Sequence, residues 1–296
     1  MRLPSWLRRN PRLQIGLAML LPFVVFAIIP GLIAPYDPNE NPGTVLQSPG
    51  GQYVLGTDSN GRDILSRLVW ASRNDLKISL ASTLAAAVVG VVIGLWVGYR
   101  GGWISGTTLR LTDVMLAFPS ILLALFLITI VGRSDGIIIL ALAILFVPGF
   151  IRVARGLAMS LRERAFVESS VLSGGGTMHV VRRHLLPNAI GPLLVGFALT
   201  AAYALIAAAT LSYLGLGTQP PNPSWGNMLK DAFDYTFLAW WYGIFPGVCI
   251  AWVALAYLLI SQGVEHAVAR GPAAARAEIA EGMIGGAAPS AEAAGS

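Results

Sequence analysis

Few residues of this 296-residue chain are equipped for chemistry. Its three histidines are His179 and His184, five apart, and the distant His266, a spacing that forms no zinc-ligand pattern. The lone Cys249 lies in an apolar block and supplies neither a disulfide framework nor a metal-ligand cluster. The only lysines, Lys77 and Lys230, have no Gly before them and no Ser or Thr after them, so a phosphate-binding loop is missing. No side chains converge as nucleophile, base and orienter, which argues against an enzyme. Asp113 is the one carboxylate placed to enter an apolar block, and with Arg110 beside it at a helix end an interfacial ion pair is expected. Polar residues are densest between positions 152 and 188. There Arg162, Glu163, Arg164, Glu168, Ser169, Ser170 and Ser173 sit among apolar residues at helical spacing. Gly174-Gly175-Gly176 then breaks the helix, and an apolar pattern resumes through Leu185 and Leu186 to Pro187. A helix, a sharp turn and a second helix follow from that pattern.

What must position this segment is a membrane. Hydrophobic residues make up 55% of the chain and charged residues 12%, half the roughly 25% charge of a soluble domain. Apolar blocks near 15–33, 78–97, 114–131, 137–153, 190–213 and 242–260 are each about as long as a helix needs to cross some 30 Å of hydrocarbon. They do not alternate in polarity, which sets a barrel aside, and only a helix satisfies its own backbone in lipid. The expected fold is an all-α integral membrane protein of six transmembrane helices. Arg2, Arg8, Arg9 and Arg12 precede the first block, and Arg152, Arg155, Arg162, Arg164, Arg182 and Arg183 lie between the fourth and fifth, so both termini are expected inside. The first block is longer than a signal-peptide core and is followed by a Pro-rich stretch, so it is expected to remain uncleaved. Basic residues distributed in this way mark topology and lipid headgroup contacts; they do not form a nucleic-acid surface.

The domain boundaries follow. Residues 1–13 form a cytoplasmic N-terminal segment, 14–270 the transmembrane domain and 271–296 an Ala/Gly/Ser-rich tail expected to be disordered. Within the domain lie an external segment at 34–77, the cytoplasmic segment at 154–187 and an external loop at 214–241. In the first of these, Asp58 or Ser59 is placed to cap an amphipathic helix lying on the membrane surface, its polar side carrying Arg62, Asp63, Arg67 and Arg73. The loop holds Pro220, Pro221 and Pro223, which exclude a continuous helix, while Trp225, Trp240 and Trp241 are expected at the membrane interface.

Four motifs then fall in a telling order. Glu168-Ser169-Ser170, Gly174 and Leu186-Pro187 follow the spacing of the EAA motif of importer permeases, Glu-Ala-Ala-x3-Gly-x9-Ile-x-Leu-Pro. Ser169 and Ser170 replace its alanines and His184 its isoleucine. The stretch from Leu55 through Gly56, Thr57, Asp58, Gly61, Arg62 and Asp63 to Arg67, the stretch from Leu214 to Pro221, and Pro223-Ser224-Trp225-Gly226-Asn227-Met228-Leu229 resemble the C-type subunit of the dipeptide/oligopeptide/nickel branch of ATP-binding-cassette importers. The resemblance covers about 13–267. It implies a type I importer permease fold that forms half of a pathway for peptides or related small ligands. It also implies a sister B-type permease, two ATPase subunits holding ATP and Mg, an extracytoplasmic binding protein and a bacterial cytoplasmic membrane. By the same resemblance Arg164, Glu168, Ser169, Ser170, Gly174, Leu186 and Pro187 couple the chain to the ATPase. The chain itself is implied to carry no cofactor, metal or catalytic residue. The fifth span offers Thr200, Tyr203, Thr210 and Tyr213 as polar pathway positions. The alternative of an ion-gradient-driven secondary transporter needs ionisable residues buried at mid-membrane and an internal repeat of broken spans, and the sequence displays neither.

Overall fold

The computed structural model describes residues 10–285, with side chains described to residue 269. Among the described residues the regular structure is helical, the only β pairing being two isolated bridges, Gly50 to Tyr53 and Thr57 to Asp63. Helix α1 spans Pro11–Ile28 and the short α2 Pro30–Ile33, Pro11 standing at the first turn where its missing N–H costs nothing. The second block is part of a longer element. Helix α3 covers Ile64–Arg100, 37 residues, about 55 Å at the helical rise, so the amphipathic surface helix expected after Asp58 or Ser59, within the 34–77 segment, is instead the first turns of a span. Its cap is neither Asp58 nor Ser59: the Asp63 carboxylate accepts from Ser66 N at 2.8 Å. Surface placement fails because Ile64, Ser66, Arg67, Leu68, Val69 and Ala71 are buried on several sides of the helix at once.

The third block is broken. Helix α4, Gly102–Ala117, and α5, Ser120–Val131, meet at 87°, because Phe118 before Pro119 takes extended backbone and Pro119 has no N–H to continue the ladder. Neither half crosses alone; α5 is only about 18 Å long at the helical rise. Together they carry the chain from end to end. The α4 start lies against Arg162, whose Nη1 is 3.2 Å from the place a Gly101 Cβ would take, whereas Asp135, just after α5, pairs with Lys77 Nζ at 3.7 Å near the opposite end. With α6 (Asp135–Arg162), the helix that runs from Thr177 to Tyr213 and α11 (Trp240–Gly285), six passages result.

Helices α3 and α6 form the closest pair. Gly90, Gly94 and Gly98 recur every fourth residue on α3, and a Cβ at Gly94 would stand 2.6 Å from Ile151 O and 2.8 Å from Ala154 Cβ. Without a solvent to drive helices together, small residues that allow backbones to approach are the means of association in lipid. One apolar cluster gathers Leu95, Ala154, Ala158, Val167, Val180 and Leu185 at one end, hereafter the motif end, and another gathers Ile64, Leu68, Ala201, Leu205, Trp225, Met228 and Tyr242 at the other, the loop end. The last helix continues to Gly285, so the disorder expected from Gly271 is not what residues 271–285 show; their Ala, Glu and Arg content favours helix. Residues 286–296, and the N-terminal arginines before residue 10, lie outside the described residues.

Candidate functional site

The motif end is built by an interruption. Helix α6 stops at Arg162, Glu163 and Arg164 turn the chain, and helix α7 occupies Ala165–Leu172, shorter than the 162–173 expected. Its C-terminus closes by paired backbone bonds, Gly174 N donating to Val171 O at 2.9 Å and Gly175 N to Ser170 O at 2.9 Å, the two bonds of a Schellman cap. Gly174 has φ +85°, the left-handed conformation that cap needs. Gly175 is required for a different reason, since a Cβ there would lie 2.7 Å from Ser170 O. The three glycines are therefore not interchangeable.

Val167 is the one buried residue of α7 and its main attachment to the bundle. Val167 is buried with Leu95, Ala158 and Val180, the partly exposed Phe166 ring lies 6.1 Å from that of His184, and Glu168, Ser169, Val171 and Leu172 face away, Leu172 being 82% exposed. Ser169 Oγ donates back to Ala165 O at 2.9 Å and Ser173 Oγ to Ser169 O at 2.9 Å, so both hydroxyls are folded onto the helix and leave its surface narrow. After the turn, Thr177–Val180 (α8) runs through a π-helical turn, Val181–Leu185, into α9, Leu186–Tyr213. Pro187 does not open the fifth span. In the structure the helix has already begun at Thr177, and the π turn, with Leu186 N donating to Val181 O, absorbs the proline. Arg164 precedes α7 and its side chain makes no cap bond. Asp113 pairs with Arg152 of α6, and Arg110 is not its partner; both side chains of the pair are more than half exposed.

The other motifs meet at the loop end. The Asp58 carboxylate, fully buried, accepts from Asn60 N at 2.8 Å, Arg62 N at 2.9 Å and Arg62 Nε at 2.7 Å, with Arg67 Nε at 3.5 Å. Thr57 Oγ1 donates to Thr44 O at 2.6 Å and accepts from Gln47 N at 2.8 Å. Gly56 and Gly61 both have positive φ, and a Gly61 Cβ would fall 2.4 Å from Gly43 O. Trp225 corrects the interfacial expectation: it is fully buried, its Nε1 donating to Leu68 O at 3.2 Å and its backbone N to Asp75 Oδ2 at 2.8 Å. Trp241 is buried too, and only Trp240 is exposed. Gly226 must be glycine, a Cβ there meeting Ala209 O at 2.2 Å, and Pro223 O accepts from Asn74 Nδ2 at 3.0 Å. Thus the motifs of residues 55–67 and 223–229 form one packed unit across α3.

Residues 90–270 match the family described as "Binding-protein-dependent transport system inner membrane component", and residues 6–49 match the "N-terminal TM domain of oligopeptide transport permease C". The chain belongs to that permease family. It is similar to the "Di/tripeptide transport system permease protein DppC" of Pseudomonas aeruginosa (strain UCBPP-PA14), at 38% identity over 86% of each chain. It is similar also to the "Dipeptide transport system permease protein DppC" of Alkalihalophilus pseudofirmus, at 37% over 88% of this chain and 86% of that one. The protein of the same name from Escherichia coli (strain K12) is 38% identical over 89% of this chain and 90% of its own. It is therefore a multi-pass transport permease of the dipeptide/oligopeptide/nickel importer family, C-type, and the family's type I fold is the architecture described above.

On this permease Tyr203 is 58% and Tyr213 38% exposed, and with Leu199, Ile206 and Thr210 they form one stripe of α9 that no other helix among the described residues covers. Thr210 Oγ1 donates to Ile206 O at 2.8 Å, and Thr200 is partly buried beside the stripe. The sequence reading missed Asp75, a carboxylate only 1% exposed in α3. Its signal was a polar face at helical spacing, Ser72, Asp75, Ser79 and Ser82, in which Ser72 and Ser82 bond their own preceding carbonyls.

Proposed function

We propose that this permease is half of the translocation pathway of an ATP-driven importer of short peptides in a bacterial cytoplasmic membrane, with both termini inside. The observation that carries the reading is α7. A short helix outside the spans, anchored through Val167 and presenting Phe166, Glu168 and Leu172, is shaped to seat in a groove of an ATPase subunit. Ser169 and Ser170 allow close approach, the cap at Gly174 fixes the angle, and the continuous helix from Thr177 through Leu186 and Pro187 to Tyr213 conveys displacement of α7 to the fifth span. A ligand-driven shift of this kind requires a lever held at both ends. In this reading two ATPase subunits supply ATP and Mg, a sister permease covers the Tyr203 stripe and an extracytoplasmic protein delivers the peptide; the relatives' printed names support a peptide cargo. The test is uptake of a labelled dipeptide by proteoliposomes holding the complex. Uptake is expected to require ATP and to survive an uncoupler, with no ATP hydrolysis by the permease alone. Uptake abolished by the uncoupler at full ATP would instead establish an ion-driven carrier.

A further inference from the structure

At the loop end, between the Asp58 unit and the loop after α9, the structure encloses a cavity of about 380 Å³, within the roughly 300–1,000 Å³ of small-molecule sites. Its charged lining is Arg62, Arg67, Arg133, Lys230 and Asp231. Asp58 behind the wall neutralises part of this, but four cations against two carboxylates leave an excess of two positive charges. Arg67 is 3% exposed and only partly answered: its Nη1 donates to Pro38 O at 3.1 Å, while its buried Nε lies 3.5 Å from Asp58 Oδ2 without a hydrogen bond, a charged donor that gains from a further acceptor. Desolvation pushes the Asp231 carboxyl up from its ordinary value while Arg67 and Arg62 pull it down. The remaining wall is carboxamide and proline: Asn60, Gln219, Asn222 and Asn227 with Pro220 and Pro221.

We infer that this cavity is a binding site for the carboxylate end of a short peptide. Guanidinium groups match a carboxylate in geometry and charge. Side-chain amides, each both donor and acceptor, match the peptide backbone that follows it. A phosphate would use the cations but not the amides. The cavity faces away from the motif end and lies beside the first residues of α3 and α10, Trp225–Ala232, so the permease holds a peptide terminus at the mouth before the peptide enters between the spans. The choice of a peptide rests on the transport reading above; the charge and the cavity do not.

The experiment is equilibrium binding of trialanine to the full chain in lipid nanodiscs, beside trialanine amide, in the wild type and in R133Q, K230Q and the double variant. Arg133 and Lys230 are exposed and make no ion pair among the described residues, so neither substitution removes a described support of the fold. Saturable binding of the free acid, at least tenfold weaker for the amide and at least tenfold weaker in the double variant, is the expected result. Equal binding of acid and amide, or binding untouched by the double variant, would overturn the site. So would a double variant that binds trialanine normally but no longer binds the extracytoplasmic protein, since the cavity would then be a docking contact for that protein's acidic side chains. Wild-type ATP-dependent uptake in the double variant together with no trialanine binding in the wild type would remove the site and leave the transport reading intact.

Discussion

Glu168 is exposed on α7, and among the described residues its carboxylate makes no ion pair or hydrogen bond, which leaves it available to a partner. Replacing it by Arg changes an acceptor into a cation at the centre of the proposed ATPase contact. Leaving charged groups unpaired there costs about 1–3 kcal/mol or more, which at about 1.4 kcal/mol per decade is a loss of affinity of about fivefold or greater. Because Val167 and not Glu168 holds α7 to the bundle, the variant is expected to fold and insert normally. Uptake should fall at least about fivefold, with the ATPase lost on co-purification or no longer stimulated by loaded binding protein. Glu265→Arg, at an exposed position of α11, should leave both measurements unchanged. Wild-type uptake by Glu168→Arg with the ATPase still attached would remove the coupling role. Glu168 is nominated by the resemblance of residues 168–187 to the importer-permease motif, because an exposed motif is matched by residue types and spacing. Asp75 and Trp225 were not legible in this way: each is buried by a partner 150 positions away, and a polar or aromatic residue looks the same in sequence whether water or Leu68 O receives it.

The same distinction holds for elements. The six apolar blocks marked the spans because lipid enforces length and composition, and the glycines at 174–176 marked a turn. Where α3 begins, however, is decided by the Asp58 unit packing onto its first turns, a tertiary effect that helical spacing over 64–72 cannot register. The kink before Pro119 had a local signal, yet apolarity across the break made it read as one span. The contact between α3 and α6 makes the sharpest prediction at this scale. Gly94→Val would place Cβ against backbone atoms of α6, Ile151 O at 2.6 Å and Arg155 N at 3.1 Å, and backbone cannot rotate out of the way. Overpacking of this kind costs about 1–3 kcal/mol, so a lowered midpoint of thermal unfolding in detergent is expected. Gly156→Ala, on α6 itself but with nothing within 4 Å of its new Cβ, should not lower it. Equal midpoints for Gly94→Val and the wild type would show that the helices are not in contact through this stripe.

At the scale of the whole molecule, the two ends differ in how their charges are used. At the loop end Asp58 answers Arg62 and Arg67 and Asp135 answers Lys77, leaving Arg133 and Lys230 at the cavity, whereas the motif end concentrates Arg100, Arg155, Arg162, Arg164, Arg182 and Arg183 with no ion pair among the described residues. Unanswered arginines near span ends are retained on the cytoplasmic side. Six passages then return the chain to the side on which α1 begins, and the contacts agree: Gly16 near the α1 start packs on Ala256 and Ile260 of α11, and Gly191 near the α9 start packs on Val268. Both termini are therefore expected inside. Single cysteines test this, placed after Cys249 has been changed to Ala. Trp225 is unsuitable as a reporter because it is fully buried, but Phe237 protrudes from the loop at 106% relative exposure and Met178 is 62% exposed at the motif end. In intact cells an impermeant maleimide should label Phe237→Cys and spare Met178→Cys until the membrane is opened. The opposite pattern would invert the protein and place α7 out of reach of any ATPase. Labelling of both from outside would break the helix from Thr177 to Tyr213 as a membrane passage, and with it the path by which α7 is proposed to move the fifth span.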